Sequence, residues 1–406
     1  MPATAGNARL KRSVGLVTLT FYGLGNILGA GIYVLIGSMA AHAGMATPVA
    51  FIVAAVVAAF SVLTYSELAS RFPLSAGEAV YVQEGLQSTA LSRMVGLLVA
   101  LAGMVSAATV TRGFYGYLGV FVDLPMAWVI VVLVATIGLL AIWGISQSTA
   151  AAAFLTLLEI GGLLLVIWAG REALTDLPQR LPELIPDAGL SAWQAILPAA
   201  FLAFFAFIGF EDMVNIAEEV KNPSRNLPLA ILAALLIASV FYLMVSLVAV
   251  LAVPPTELAA SEAPLALVFE RSTGSQAGLL SLVGMLAVIN GALIQMIMAS
   301  RIFYGMARRG MLWPRLASVN PRTRTPVAAT LLVIGIVLAL ALWFPLQGLA
   351  AATSFLILAV FALVNASLIA IKRRDRVATN RPCYPMWVPV AGLLSSIGLA
   401  LAQLSG

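Results

Sequence analysis

The residues best suited to binding chemistry lie in the first apolar segment, within Gly23–Tyr33. Five glycines and Asn26 fall among residues 14–31, and glycine in a helix interior costs about 1 kcal/mol relative to alanine. Within a membrane, unwound backbone is tolerated only where it faces protein or a watery cavity. A break at Gly29–Gly31 therefore predicts one wall of a binding site. The alternative is close packing of small residues against another helix.

A second interruption is predicted in the sixth apolar segment, at Gly209, which is followed by Glu211 and Asp212. Free N–H groups at the start of a half-helix attract a carboxylate, and carbonyls of an unwound turn can accept hydrogen bonds from an ammonium group. An α-amino acid carries both charges on adjacent atoms. Two such breaks facing each other would suit a zwitterion, leaving side-chain selection to the surrounding helices.

The composition indicates an integral membrane protein. The 406 residues are 62% hydrophobic and 10% charged, with a mean hydropathy of +1.03, which excludes a soluble globule. The formal net charge of +5 is carried by short loops between apolar spans, so it fits membrane orientation and argues against nucleic-acid binding. The single cysteine, Cys383, excludes an internal disulfide.

Eleven apolar spans are predicted from hydropathy and from their flanking charges, prolines and turn residues. They cover 14–37, 47–70, 94–121, 126–145, 150–169, 194–217, 228–252, 277–304, 326–344, 349–371 and 385–404. If the N-terminus is cytoplasmic, 18 of the 22 Lys and Arg residues fall inside, which predicts that topology. Residues 1–13 would then be a cytoplasmic segment with no cleavable signal, and the C-terminus would lie outside.

The two interrupted spans are five spans apart, and so are the unusually long third and eighth spans. Because equivalent helices are an odd number of spans apart, the second unit crosses the membrane in the opposite orientation to the first. The pattern predicts an all-α protein with inverted five-helix repeats over 14–170 and 194–371, broken helices 1 and 6, and an eleventh helix over 385–404. Such repeats are typical of secondary transporters with a site at the midplane.

Four stretches carry a resemblance to a known family. Gly25–Tyr33 resembles the first-helix signature of the amino acid-polyamine-organocation (APC) superfamily of permeases, and Tyr65–Pro73 with Gly77 and Tyr81 is similar to the loop after its second helix. The sixth helix and its exit, Phe207–Pro228, and the link Ser300–Pro326 also resemble that superfamily. The resemblance implies a LeuT-like fold and amino acid transport across the cytoplasmic membrane.

The resemblance also implies a set of binding residues. The substrate carboxylate would meet the backbone N–H groups of Ala30, Gly31 and Ile32 after Gly29. Its ammonium would face the carbonyls of Ile27, Phe205 and Ile208, with Phe207, Gly209 and Phe210 completing the site and Phe210 acting as a gate. The alternative for Phe205 and Phe210 is core packing.

Two departures from the superfamily pattern bear on substrate and coupling. Aligning Thr111-Arg112-Gly113 with the helix-three motif of cationic amino acid transporters puts Ala102 where those relatives carry a carboxylate. This favours neutral substrates, although Glu211 or Asp212 could serve a cation instead. Glu159 stands where several relatives place a lysine. A midplane carboxylate could bind sodium or carry a proton; the alternative is a permanently protonated acid bonded to a neighbouring helix.

Asn290, midway along the eighth span, could line the pocket or an ion site, or form an interhelical hydrogen bond. No His, Cys and carboxylate cluster has metal-ligand spacing, and no cofactor-binding loop or nucleophile–base pair is present. The sequence therefore predicts a proton-coupled permease for neutral amino acids rather than an enzyme. A transporter or exchanger of amines, polyamines or cationic amino acids remains open, as does a non-transporting sensor or subunit, and the oligomeric state is undetermined.

Overall fold

The chain folds into a helical membrane protein with no β-strand in the residues described. The computed structural model describes residues 12–74, 77–143, 149–186, 189–374 and 382–405. Most of the N-terminal segment predicted over 1–13 lies outside these ranges, as does the link between the fourth and fifth predicted spans.

The helices follow the predicted apolar spans, with short helices and 3₁₀ turns in the connections. They are α1 Leu16–Leu28, α2 Ala30–Ala43, α3 Thr47–Arg71, α4 Gly77–Leu86, α5 Thr89–Gly119, α6 Met126–Trp143, α7 Thr149–Ala169, α8 Leu177–Leu184, α9 Leu190–Phe207, α10 Pro223–Ala252, α11 Pro255–Ala260, α12 Pro264–Thr273, α13 Gly278–Arg308, α14 Val327–Trp343, α15 Leu346–Arg374 and α16 Trp387–Ser405. The 3₁₀ segments are Gly44–Ala46, Gly170–Asp176, Glu211–Glu219 and Pro314–Ala317.

Within the described ranges, nine helical segments are long and apolar enough to cross a membrane. The first of them, Leu16–Arg71, extends over 56 residues and contains α1, α2 and α3, while α14 is a shorter apolar helix of 17 residues. A 30 Å hydrocarbon core needs about 20 helical residues, so 56 residues exceed the length of one crossing. The predicted multi-pass, all-helical class is confirmed.

The third predicted span starts earlier in the structure than the hydropathy pattern indicated. The sequence predicts a start at residue 94, whereas α5 begins at Thr89 because Ser88 caps it, its side chain accepting a hydrogen bond from the N–H of Leu91 at 3.3 Å. A hydroxyl cap of this kind stabilises a helix start by about 1 kcal/mol. The polar first turn of α5 therefore lies outside the apolar pattern.

Long-range packing places the two interrupted regions in the middle of the molecule. Helix α5 packs along α13, α3 packs along α10, and α2 packs against α9. The backbone also joins the chain before α1 to the end of Glu211–Glu219: the N–H of Val14 donates to the carbonyl of Glu219 at 3.0 Å, and the N–H of Lys221 donates to the carbonyl of Val14 at 2.8 Å. The start of the first span and the exit of the sixth are thereby held together.

Buried ion pairs hold three helix ends at one side of the protein. Glu67, fully buried on α3, pairs with Arg71 at 2.6 Å and with Lys372 on α15 at 2.8 Å. The second carboxylate oxygen of Glu67 also accepts from the N–H of Tyr384, just before α16, at 2.9 Å. A buried charge costs several kcal/mol unless it is paired, so this network fixes the relative positions of α3, α15 and the segment before α16.

Candidate functional site

The first apolar span is interrupted at Gly29, within the range that the sequence indicated. Helix α1 ends at Leu28, Gly29 has φ −43° and ψ −143°, and α2 begins at Ala30 without a side-chain cap. The first N–H groups of an α-helix have no intrahelical partner. The backbone of Ala30, Gly31 and Ile32 therefore forms a helix N-terminus in the protein interior, with the positive end of its dipole at the break.

The glycines of this stretch also serve close packing, which was the alternative explanation. A Cβ atom on Gly31 would lie 2.7 Å from the Cα of Ala206 on α9, and one on Gly25 would lie 2.3 Å from the side-chain oxygen of Thr156 on α7. Larger side chains would push the helices apart. The structure therefore shows the break at Gly29 and the close packing at Gly25 and Gly31, and the role of the break as a binding-site wall stays a prediction.

The second interruption begins where α9 ends at Phe207. Ile208 is extended, with φ −65° and ψ 138°, and Gly209 has φ +128°, a conformation that favours glycine. A Cβ atom on Gly209 would lie 2.7 Å from the backbone of Asn26 in α1. The two interruptions are therefore in direct contact with each other.

Tyr242 on α10 connects the ends of the two broken helices. Its hydroxyl contacts the carbonyl of Ile27 and, at 2.7 Å, the carbonyl of Ala206. One hydroxyl proton serves two carbonyls, each with two lone pairs. The Ile27 carbonyl, predicted to accept from a substrate ammonium, is therefore already shared with Tyr242. The Phe205 carbonyl is also engaged, accepting from the N–H of Ile208 at 3.2 Å.

A small cavity lies where the two interruptions meet. It measures about 30 Å³ and is lined by Asn26, Ile27, Gly29, Gly31, Ser106, Val110, Phe205, Ile208, Gly291, Ile294 and Gln295. This is room for about two water molecules. Backbone from both breaks forms one wall, and α5 and α13 supply the other, which mixes apolar side chains with one hydroxyl and one amide.

Five of the ten predicted binding residues line this cavity, and the others lie around it. Phe207 packs edge-to-face against Tyr242 with ring centroids 5.0 Å apart. Phe210, predicted as a gate, packs against Tyr65 and Phe361 at 5.5 Å and 5.2 Å between centroids. The side chain of Ile32 is fully buried. The packing of Phe210 matches the core alternative, whereas Phe205 lines the cavity.

An acidic pair follows the second interruption. One oxygen of Glu211 accepts from the N–H of Gly209 at 2.8 Å, which helps to hold the broken turn. Asp212 accepts from the side-chain amides of Asn26 at 3.4 Å and Gln295 at 3.3 Å. A second cavity, of about 10 Å³, is lined by both carboxylates and shares Ser106, Ile208 and Gln295 with the first.

Glu159 lies on α7, with 1% of its surface exposed. One carboxyl oxygen accepts from the side-chain amide of Asn290 on α13 at 3.2 Å, so Asn290 forms the interhelical hydrogen bond that was one of its predicted roles. The other carboxyl oxygen is buried with no hydrogen-bond partner among the described residues. The Glu159 backbone carbonyl accepts from the hydroxyl of Tyr33, on α2, at 2.8 Å.

The chain matches the family described as amino acid permease over residues 14–405. It belongs to the amino acid permease family. The match extends from just before α1 to the end of α16, so it includes both interruptions, the cavity and the acidic pair. Membership of the APC superfamily, which the sequence motifs indicated, is confirmed.

Similar permeases and transporters differ in their named substrates. The chain is 29% identical over 396 residues to the branched-chain amino acid permease BcaP of Bacillus subtilis, covering 92% of this chain and 83% of that protein. It is 30% identical over 402 residues to the vacuolar cationic amino acid transporter 4 of Arabidopsis thaliana, covering 90% of this chain and 64% of the relative. An uncharacterised transporter of Mycobacterium tuberculosis is 31% identical over 399 residues, covering 97% and 86%.

Several residues around the permease cavity were not predicted from the sequence. Three of them lie in apolar helices: Ser106, Tyr242 and Gln295. A single polar side chain in an apolar helix does not indicate which other helix it faces. A periodic search for polar residues on the inward face of α5 and α13 could have found Ser106 and Gln295.

Proposed function

We propose that this permease is a secondary transporter of neutral amino acids, working by alternating access and driven by a proton. The observation that carries the proposal is the contact of Gly209, in the second interruption, with Asn26, just before the first interruption at Gly29, beside one cavity. Paired broken helices of this kind supply both a positive helix end and free carbonyls for a small zwitterion.

The substrate carboxylate would bind the N–H groups of Ala30, Gly31 and Ile32, because they begin α2 at the break. Its ammonium would bind at carbonyls of Ile27, Phe205 or Ile208. Since Tyr242 already donates to Ile27, the ammonium would use the remaining lone pair or displace the tyrosine hydroxyl. At about 30 Å³ the cavity is smaller than an amino acid, so binding requires an expanded conformation.

The cavity lining opposite the breaks supports the proposal that the substrate has a neutral side chain. Val110 and Ile294 are apolar, and the sequence has Ala102 at the position where cationic transporters carry a carboxylate. A buried side-chain ammonium without a partner would be costly there. The second candidate is a cationic amino acid, which Asp212 favours because it lies in the adjoining cavity and because the plant relative is named a cationic transporter.

The lengths of the helices support an inverted five-helix repeat. Helices α5 and α13 each have 31 residues, and both interrupted spans begin their half of the chain. We propose repeats over 14–170 and 194–371 and eleven crossings in total, because Leu16–Arg71 is long enough for two. The sixteen helices would include the eleventh crossing, α16, outside the repeat.

The distribution of Lys and Arg in the sequence supports a cytoplasmic N-terminus, an external C-terminus and residence in the cytoplasmic membrane. For coupling, Glu159 is the first candidate, since one of its carboxyl oxygens is buried and has no hydrogen-bond partner in the part of the chain that the structure describes. Glu211 is the second. A sodium ion at Glu159 is the alternative, with Asn290 as a further oxygen donor, and exchange remains a further option.

The test is a binding and transport screen with the purified full-length chain. Thermal-shift measurements with each of the twenty amino acids, at two pH values with and without sodium, should show stabilisation by neutral amino acids. A ligand at 100 times its Kd stabilises the protein by about 2.7 kcal/mol. Uptake into liposomes should follow an inward proton gradient. Binding of no α-amino acid would contradict the proposal, and binding without uptake would favour a sensor.

A further inference from the structure

The link between α13 and α14 presents a cluster of exposed arginines. No Asp or Glu occurs in the sequence between Glu270 and Asp375, so this part of the chain carries only positive formal charges. Five arginines fall within residues 308–324, and all five are exposed: Arg308, Arg309, Arg315, Arg322 and Arg324. Among the described residues, none of the five forms an ion pair with a carboxylate. This arginine cluster therefore carries charge that the described chain does not neutralise.

Hydrogen bonds hold the second half of this link in a defined turn. The side-chain oxygen of Asn320 accepts from the N–H of Arg322 at 2.8 Å, and the N–H of Arg324 donates to the Asn320 carbonyl at 2.8 Å. The hydroxyl of Thr325 donates to the carbonyl of Ile142, near the end of α6, at 2.7 Å. The turn is thereby tied to α6, so Arg322 and Arg324 extend from a fixed surface.

Exposed tryptophans mark the level of the membrane surface around α14. Trp343, the last residue of α14, is 76% exposed, and Trp143, which ends α6 directly after Ile142, is 75% exposed. Tryptophan is enriched at both membrane–water interfaces. The 17 residues of α14 span about 26 Å, which is less than the hydrocarbon core of about 30 Å. The two ends of α14, each beside one of these tryptophans, therefore lie at the two interfaces.

The arginine cluster consequently lies at the level of the lipid headgroups. Arg324 stands only three residues before the start of α14 at Val327, and Arg308 is the last residue of α13. Trp313, in the middle of the link, is 79% exposed and supplies a further interfacial side chain. Guanidinium groups form paired N–H···O bonds with phosphate oxygens. Exposed arginines beside tryptophans at this depth fit phosphate-bearing headgroups.

The other basic run of this acid-free stretch, at the end of α15, has a different role. Lys372 pairs with the buried Glu67 at 2.8 Å, and Arg374 donates to the carbonyl of Gly85 at the end of α4 at 2.8 Å. These side chains hold the fold together. In the link between α13 and α14, by contrast, the guanidinium groups other than that of Arg308 have no hydrogen bond to another described residue. They are available to a ligand outside the protein.

We propose that the arginine cluster binds the headgroups of anionic phospholipids in the adjacent leaflet, with Trp143 and Trp313 seated in the interface beside them. The link joins two apolar helices, so it stays next to the bilayer. A lipid surface offers many phosphates at once, and each guanidinium can bind one without an enclosed pocket. An exposed basic surface is also typical of nucleic-acid binding. The tryptophans favour the lipid, because their amphipathic rings match the headgroup level of a membrane.

The experiment titrates the purified full-length chain in detergent with phosphatidylglycerol or with phosphatidylcholine of the same acyl chains, and follows bound lipid by native mass spectrometry. The native chain should bind phosphatidylglycerol at least about tenfold more tightly. Each basic residue near an anionic surface contributes about fivefold to binding, so Arg322→Gln/Arg324→Gln should weaken phosphatidylglycerol binding by about ten- to thirtyfold. Arg308→Gln/Arg309→Gln, at the other end of the link, should act similarly and carries the test if the first variant unfolds.

Two controls separate lipid binding by this cluster from effects of structure and of net charge. Arg322→Lys/Arg324→Lys keeps both charges and should bind phosphatidylglycerol within about threefold of the native chain. Arg171→Gln/Arg271→Gln removes the same charge at two exposed positions outside the link. This variant should bind both lipids as the native chain does.

Equal affinity of the native chain for the two lipids would overturn the proposal, as would native affinity for phosphatidylglycerol in both folded glutamine variants of the link. An equal loss in the control variant outside the link would reduce the effect to net charge and reject the cluster. Displacement of phosphatidylglycerol by an equal concentration of glycerol phosphate or of a short RNA would assign the cluster to a soluble anion and reject the lipid. The measurement requires no transport, so its outcome does not depend on the proposed function.

Discussion

Gly209 lies directly against the backbone of Asn26, so the two helix interruptions form one continuous wall. A Cβ atom at Gly209 would approach the Asn26 carbonyl carbon to 2.7 Å, and the φ angle of +128° excludes most other residues. The positions of the last turn of α1 and of the chain after α9 therefore depend on each other through this contact.

Gly209→Ala should abolish amino acid binding while the chain still inserts in the membrane. The substitution combines a strained φ angle, at about 1–3 kcal/mol, with a clash against backbone that cannot move aside. Binding by scintillation proximity measures the effect. Gly274→Ala is the matched control, because Gly274 also has a positive φ but has open space around it; binding in Gly209→Ala equal to that control would refute the role of the contact.

Tyr242→Phe should lower stability and amino acid affinity together. The substitution removes the hydroxyl that donates to the carbonyls of Ile27 and Ala206, and a buried acceptor left unsatisfied costs about 1–3 kcal/mol. Thermal unfolding in detergent and a binding isotherm measure the two effects. Tyr115→Phe, at a half-buried position on α5, controls for removal of a hydroxyl. Unchanged unfolding and affinity would show that the tyrosine does not hold the broken ends.

Gly291→Val should narrow the range of substrates. A side chain at Gly291 meets open space in the cavity, so valine would occupy the volume needed by a bulky substrate. Glycine and alanine should bind within about tenfold of the native affinity, and branched side chains should lose about 10–200-fold. Gly305→Val lies on the same helix with open space but away from the cavity. An equal loss for small and large substrates would reject a specificity role.

Glu159→Gln should separate proton-driven uptake from exchange. Glutamine keeps an oxygen that can accept from Asn290 but cannot bind a proton or neutralise sodium, so gradient-driven accumulation should fall by more than about tenfold while counterflow at equal pH persists. Both assays use the same liposomes, with Glu172→Gln, an exposed acidic position, as the control. Gradient-driven accumulation at the native level in Glu159→Gln would show that Glu159 is not the coupling residue.

The sequence predicted the features that depend on local composition. Hydropathy located the apolar helices, and the glycines near Gly29 and Gly209 indicated both breaks because glycine weakens helices wherever it clusters. The site was less predictable, since its lining comes from elements far apart in sequence: Gln295 reaches Asp212 across 83 residues. Phe210 is a different case. The family resemblance implied a gating role for it, but did not indicate that its ring packs against Tyr65 and Phe361.

The measurement that tests the central claim most directly compares a neutral amino acid with two close analogues, its methyl ester and the corresponding α-hydroxy acid. The ester lacks the carboxylate for the N–H groups of Ala30 and Gly31, and the hydroxy acid lacks the ammonium for the carbonyls at Ile27 and Ile208. Competition against the labelled parent should be weakened by roughly 10- to 100-fold or more for each analogue, since each loses a charged hydrogen-bonding group. Equal competition by either analogue would contradict main-chain recognition of a zwitterion at the paired interruptions.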